Sequence, residues 1–170
     1  MGLKIFGAIL ILAGCGGFGF KLASNHIKEE RSLRVLIRIL DYMECELQYH
    51  MTPLPQLCRQ ASAEGEGIIR KVFYLLAEEL EYQLSPDVEG CMTAVLSKNK
   101  DMPRLSYSAM ELLGRSLGRF DMEGQLKGLE SVRQECRRNL NELMENRDLR
   151  LRNYQTLGLC AGAALAILLI

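Results

Sequence analysis

"LGRFDMEGQLKGLESVRQECRRNLNEL", residues 117–143, contains the end of one helix and the start of a much longer one. Gly118 suits the left-handed position that closes a helix, and Asp121 suits the N-cap of the next helix. After Asp121, apolar residues recur every three or four positions with one longer gap, and no Gly or Pro interrupts residues 129–157. This pattern predicts a single helix of about fifty residues, roughly 75 Å long, that runs from Asp121 towards the C-terminus.

A second long helix is predicted from "RSLRVLIRILDYMECELQY", residues 31–49. It should end near Met51, because Pro53 disfavours helical geometry in the residue before it. In "TPLPQL", residues 52–57, Thr52 suits an N-cap and Pro53 suits the first helical position. The apolar face of the long helix consists of Leu33, Leu36, Ile37, Leu40, Met43 and Leu47.

Both ends of the chain are apolar, whereas the middle is rich in charge. Residues 3–23 would form a helix of roughly 31 Å, which matches the hydrocarbon core of a bilayer. Residues 154–170 begin at an interfacial tyrosine and give about 25 Å, a shorter span. Each end also has small residues at four-residue spacing, a pattern that lets membrane helices approach closely. These predicted packing positions are Cys15, Gly19, Ala23, Gly158, Gly162 and Ala166.

The predicted fold is all-α, with terminal transmembrane helices at 3–23 and 154–170 and a helical bundle at 26–153. Two long membrane-proximal helices should connect the bundle to its ends. Basic residues flank the middle segment on both sides, which places it in the cytoplasm by the positive-inside rule. One alternative stays open. "LAGC", residues 12–15, resembles a lipobox, so Cys15 could be lipidated in an extracellular helical binding protein. A small membrane sensor, whose long helices transmit a signal, is a third hypothesis.

The sequence contains no arrangement typical of an enzyme. A Gly-rich phosphate loop and a G-x-S-x-G elbow are both missing. None of the six cysteines forms a C-x-x-C pair, and neither histidine lies near a cysteine at metal-ligand spacing. The formal net charge is zero, which gives no support for nucleic-acid binding. We therefore expect no catalytic, cofactor or metal site, no small-molecule substrate, and free thiols in a reducing compartment.

Two blocks of sequence resemble the stage III sporulation protein AB family of spore-forming bacteria. The first is "ECELQYHMTPLPQL", residues 44–57, and the second is "LGRSLGRFDMEGQ", residues 113–125. They agree with the family in order and spacing, and the likeness covers essentially the whole chain. The matching residues are Glu44, Glu46, Tyr49, Thr52, Pro53 and Leu54 in the first block, and Gly114, Leu117, Gly118, Asp121 and Gln125 in the second.

The resemblance implies a non-enzymatic platform in the outer forespore membrane, on the mother-cell side. Such a platform is similar to those of secretion systems, which couple a cytoplasmic ATPase to a membrane assembly. The implied partners are the membrane, this ATPase and other membrane components of the mother cell–forespore channel. The sequence does not fix the oligomeric state, and a homo-oligomer stays open. Glu44, Glu46 and Tyr49 end the first long helix, so they are candidates for the docking surface.

Overall fold

A computed structural model describes the backbone of residues 2–82, 85–118 and 121–169, and the side chains of residues 25–82, 85–118 and 121–145. Within these residues the chain forms six helices and no strand, as the predicted all-α class requires. The helices are α1 (Gly2–His50), α2 (Leu54–Glu64), α3 (Gly67–Glu81), α4 (Val88–Lys98), α5 (Arg104–Ser116) and α6 (Met122–Leu169).

Two compact units can be distinguished. One unit comprises Lys28–Leu140, and the other comprises Met1–Ile27 together with Asn141–Ile170. The predicted membrane segments 3–23 and 154–170 lie outside the residues whose side chains are described. Among the residues that are described, no helix is both long enough and apolar enough to cross a membrane.

The Lys28–Leu140 unit is a helical bundle in which consecutive short helices pack as neighbours, α2 on α3, α3 on α4 and α4 on α5. Its core combines aliphatic side chains with several methionines and cysteines, and Phe73 is its largest fully buried side chain. On α1, five of the six residues predicted to be apolar and inward-facing are buried. Ile37 is only half-buried, and Ile39 occupies the core instead. Ile39 stands three residues after Leu36 and four before Met43, so it continues the same face.

The end of α1 and the start of α6 lie where the sequence predicts them. α1 stops at His50, and Met51 has a φ of 48°. α5 ends at Ser116, Gly118 has a φ of 76°, and α6 starts at Met122 after Asp121. The Asp121 carboxylate accepts a hydrogen bond of 2.9 Å from the Gly124 backbone N–H, which is the expected N-cap bond.

The predicted start of α2 is wrong. The helix begins at Leu54 rather than Pro53, and Thr52 does not cap it. Pro53 has a ψ of 141°, and its carbonyl oxygen accepts the first bond, 2.8 Å from Leu57 N. The Thr52 hydroxyl instead donates to Glu46 Oε2 at 2.9 Å. The Thr52 hydroxyl therefore bonds to a side chain of α1 instead of capping the start of α2.

The helices α4 and α5 start with different kinds of cap. Asp87 caps α4 locally, because its carboxylate accepts a bond of 2.8 Å from Gly90 N. α5 starts after Pro103 and has no side-chain cap of its own. The Glu29 carboxylate of α1 lies 3.2 Å from Leu105 N and accepts this bond from 76 residues away. The start of α5 is thereby fixed against the early part of α1 in this unit.

Candidate functional site

Three connections of the Lys28–Leu140 unit lie at one end of the bundle. A Cβ atom placed on Gly118, after α5, would lie 2.5 Å from Val88 Cγ2 and 3.9 Å from Leu54 Cδ2. The start of α2, the start of α4 and the end of α5 therefore meet there. The start of α5 lies beside Glu29, at the opposite end of α5. We call the end formed by the α1–α2, α3–α4 and α5–α6 connections the tip.

The tip brings together the two family-like blocks of the sequence. Leu54 belongs to the first block and Gly118 to the second, and these two residues approach closely across the start of α4. Leu117 is fully buried beside them. In the second block, Gly114 faces Met92, and a Cβ atom there would lie 2.7 Å from the Met92 Cβ. These positions pack the helices tightly at the tip, which is a structural role.

The turn after α1 has a fixed conformation. Met51 is the non-glycine residue with positive φ in the described part of the chain, a conformation that L-residues adopt at a cost. The residues on either side of Met51 both contact Glu46. The Thr52 hydroxyl donates a hydrogen bond to Glu46, and His50 Nδ1 lies 3.6 Å from Glu46 Oε1. Pro53 follows and fixes its own φ. The turn is therefore constrained by its neighbours on both sides.

The most exposed large apolar side chains of this unit lie at the tip. Tyr49 and Met51 are each 75% exposed, and Tyr82, directly after α3, is 73% exposed. On the sides of the bundle, Tyr74 and Leu112 are only 44% and 37% exposed. Tyr74 is further covered by Arg59, whose guanidinium carbon lies 5.7 Å from the ring centroid. An exposed group of aromatic and methionine side chains is typical of protein interaction sites.

The two glutamates predicted to form a docking surface have partners within the domain. Glu44 accepts a hydrogen bond from Arg133 of α6, and Glu46 accepts one from Thr52. Arg133 also donates to Asp41 at 2.8 Å and to Glu130 on its own helix. A docking role for Glu44 and Glu46 stays a prediction, but these contacts point first to a role in positioning the end of α1.

Other carboxylates make the tip acidic. Its cations include Arg115 and Lys127, each of which pairs with a glutamate on its own helix, and Arg59, which pairs with Glu81 at the end of α3. Arg119 belongs to the α5–α6 connection in the sequence. Arg115 also lies 3.4 Å from Glu89 of α4. The acids at this end outnumber these four cations. They are Glu81, Asp87, Glu89, Glu111, Asp121 and Glu123.

The four cysteines whose side chains are described are free thiols. Cys45 is exposed on α1, whereas Cys58, Cys91 and Cys136 are buried. Burial raises the pKa of Cys58 and of Cys136 to about 12, and it raises the pKa of Cys91 as well. The buried thiols are therefore protonated and unreactive at neutral pH. Among the described residues, no group of three or more His, Cys, Asp or Glu side chains could coordinate a metal ion.

The remaining predicted residues are placed as follows. Gln125 lies on the first turn of α6, where its backbone N–H donates to the Asp121 carbonyl at 3.0 Å. The predicted membrane-packing positions, and Cys15 as a lipidation site, lie outside the residues whose side chains are described. Sequence reasoning missed Met51, Tyr82 and Arg133. Met51 could have been found from its place between a helix end and a Thr-Pro pair, but nothing local marks Arg133.

Comparison with known proteins confirms the family resemblance. The family model for stage III sporulation protein AB matches residues 4–170. The stage III sporulation protein AB of Bacillus subtilis (strain 168) is 25% identical over 171 residues, with 99% of each chain covered. A solved structure of a stage III sporulation protein AB has a TM-score of 0.64 and 19% sequence identity, and the match covers 72% of this chain and 98% of that one. That structural likeness supports the fold, and the family match over nearly the whole sequence shows that this chain belongs to the stage III sporulation protein AB family.

Proposed function

We propose that this chain is a non-enzymatic membrane adaptor of the mother cell–forespore channel needed for sporulation. In this role it couples a cytoplasmic ATPase of the same machine to components in the membrane. Segments 3–23 and 154–170 anchor it in the outer forespore membrane, and residues 26–153 lie on the mother-cell side. Family membership supports the role in sporulation, and the apolar sequence of the two ends supports the anchors.

The observation that carries the proposal is the uneven exposure of apolar side chains over the Lys28–Leu140 unit. Tyr49, Met51 and Tyr82 are largely exposed at the tip, whereas the apolar side chains of the core are buried. A bundle that concentrates its exposed apolar side chains at one constrained end is suited to binding another protein. Because the described polar side chains mostly pair with one another, they stabilise the bundle and do not converge on a substrate.

The experiment is affinity purification of the full-length chain from detergent-solubilised membranes of sporulating cells. We expect the chain in the membrane fraction and the ATPase among the proteins that co-purify with it. A control purification uses an unrelated membrane protein with the same tag. Recovery of the chain without the ATPase, after mild crosslinking in the cells, would contradict the adaptor role.

A second candidate is a lipid-anchored binding protein on the outer surface, favoured by "LAGC" at residues 12–15. The intact mass of the purified protein separates the two candidates. Lipoprotein processing removes residues 1–14 and adds a diacylglyceryl group to Cys15, whereas the adaptor keeps these residues. A Cys15→Ala variant serves as the control, because it cannot be lipidated. If the chain is the unprocessed adaptor, the masses of this variant and of the wild type should differ only by the substitution.

A further inference from the structure

We infer that the tip binds a protein surface that presents basic residues around apolar pockets. The surface is formed by Tyr49, Met51 and Tyr82 together with the acidic residues of the tip. This inference rests on the proposed adaptor role, and it names the docking surface and the chemistry of the partner. The partner surface is therefore expected on the ATPase, and not on a lipid or a nucleic acid.

The apolar side chains are the first argument. Tyr49 lies in the last turn of α1 and Met51 follows that helix directly, whereas Tyr82 lies in the next connection of the tip, six residues before Val88. Tyrosine is enriched among residues that dominate binding energy, because its ring contributes a large contact area with few rotatable bonds. Methionine is unbranched and adapts to irregular pockets. Exposed at 75%, Tyr49 and Met51 each have most of their surface left to bury.

The fixed backbone is the second argument. Met51 keeps a φ of 48°, which costs free energy in the unbound protein. The surrounding contacts compensate for that cost, because Thr52 bonds to Glu46 and Leu54 packs near Gly118. A turn that is already ordered loses little conformational entropy on binding, and this raises affinity. The strained residue lies in the connection between α1 and α2, where Tyr49 and Met51 are exposed.

Charge complementarity identifies the partner. The exposed acids Asp87, Asp121 and Glu123 belong to the connections or first turns at the tip. Together with Glu81, Glu89 and Glu111, they outnumber the cations of this end, which are Arg59, Arg115, Arg119 and Lys127. An acidic rim attracts a basic surface, accelerates its association and disfavours anionic partners. A negatively charged membrane or nucleic acid is therefore repelled from the tip. A protein surface with Lys or Arg beside apolar pockets is complementary both to the exposed apolar side chains of the tip and to its acidic rim.

The test measures the dissociation constant between the purified ATPase and the full-length chain in lipid nanodiscs. The tip variant combines Tyr49→Ser with Met51→Asn, because Asn tolerates positive φ and so keeps the turn. A second tip variant, Tyr82→Ser, alters the neighbouring connection. Tyr74→Ser on the side of α3 is the matched control. We expect the double variant to raise the dissociation constant at least about tenfold and the control to leave it unchanged.

The charge arm compares Glu123→Lys at the tip with Asp101→Lys in the connection between α4 and α5, at the other end of the bundle. Only Glu123→Lys should slow association, by about threefold, and weaken its dependence on salt. Circular dichroism checks that each variant folds like wild type. If the double variant is misfolded, Tyr82→Ser and Glu123→Lys decide the result.

The outcomes are distinct. Equal affinities for wild type, both tip variants and the control would overturn the tip as the docking surface while leaving the adaptor role intact. A wild-type chain that does not bind the ATPase overturns the adaptor role, and the inference with it. Loss of self-association by the tip variants, with unchanged ATPase binding, would identify a second copy of the chain as the occupant and overturn the inference.

Discussion

Arg133 on α6 donates a hydrogen bond to Glu44 on α1, 89 residues earlier in the chain. The same guanidinium donates to Asp41, one turn before Glu44, and to Glu130 on its own helix. Only 19% of the Arg133 side chain is exposed, whereas its carboxylate partners are partly exposed, so solvent screens these pairs less than it screens pairs on the open surface. One cation therefore fixes the register between α1 and α6 within the Lys28–Leu140 unit.

Replacing Arg133 with Met should destabilise the protein by about 1 to 2 kcal/mol, between the cost for an exposed pair and that for a buried one. The variant leaves three carboxylates close together without their cation, although these carboxylates are themselves partly exposed and so stay partly solvated. The free energy of unfolding of the full chain in mild detergent, followed by circular dichroism, measures the effect. Glu44→Gln should cost less, about 1 kcal/mol, because Arg133 keeps Asp41 and Glu130 as partners.

Arg138→Met is the matched control for Arg133. Arg138 lies on the same helix and pairs with Glu135 at 2.6 Å, but its side chain is mostly exposed. Exposed pairs of this kind contribute up to about 1 kcal/mol and often less. Equal destabilisation by Arg133→Met and Arg138→Met would mean that Arg133 does not connect the two helices.

Gly118→Ala should destabilise the protein by about 2 to 3 kcal/mol. One part of the cost is the positive φ, about 1 kcal/mol, and the rest is the clash of the new methyl group with Val88. Thermal unfolding of the full chain measures the sum. The double variant Gly118→Ala with Val88→Ala removes the clash, although it also loses the packing of the valine.

Gly67→Ala separates the two parts of the Gly118 effect. Gly67 also has a positive φ, 56°, but nothing lies within 4 Å of a Cβ atom placed on it. It should therefore show the backbone cost alone, about 1 kcal/mol. If Gly118→Ala is no more destabilising than Gly67→Ala, the close approach between the start of α4 and the end of α5 is not as tight as described.

Asp121→Ala should destabilise the protein by about 1 kcal/mol through loss of the N-cap of α6. Asp121→Asn, which can still accept the bond from Gly124, should restore most of that stability. Asp101→Ala is a suitable control, since Asp101 is an exposed residue of a turn. An Asp121→Ala variant that unfolds at the wild-type denaturant concentration would show that the cap contributes nothing.

Cysteine reactivity should follow burial. At pH 8, a maleimide should label Cys45 rapidly in the folded chain, and should label Cys58, Cys91 and Cys136 only after denaturant is added. Since the folded pKa of Cys58 and Cys136 is raised to about 12, their contribution to stability is complete below the unfolded pKa of about 8.5 and is lost as pH rises towards 12. Peptide mapping by mass spectrometry identifies the labelled residues. Labelling of Cys58 in the folded protein at the rate of Cys45 would contradict the described core.

The helices and their ends were predictable because they depend on local features. Asp121 and Gly118 were identified correctly, since an N-cap and a left-handed closing residue act within a few positions of the chain. Thr52 was assigned the wrong role for the opposite reason. Its hydroxyl donates to Glu46, six residues earlier on α1, and helix-capping preferences do not describe that bond.

The candidate surface was only partly predictable. Tyr49 was expected at the end of α1, but Tyr82 joins it only because the bundle brings the α1–α2 and α3–α4 connections to the same end. Similarly, the contacts of Arg133 with Asp41 and Glu44 span about ninety residues of sequence. Such pairs depend on which helices become neighbours, and a helical pattern in one sequence does not specify that.

The function of the tip as a docking surface is tested most directly in sporulating cells of the bacterium that produces this chain. The chromosomal copy is replaced by the Tyr49→Ser, Met51→Asn variant, with Tyr74→Ser as the control, and the yield of heat-resistant spores is measured. The tip variant should reach the membrane in normal amount yet reduce the yield towards that of a strain without the chain, whereas the control should match wild type. A wild-type yield from the tip variant would contradict a function that depends on docking at this end of the bundle.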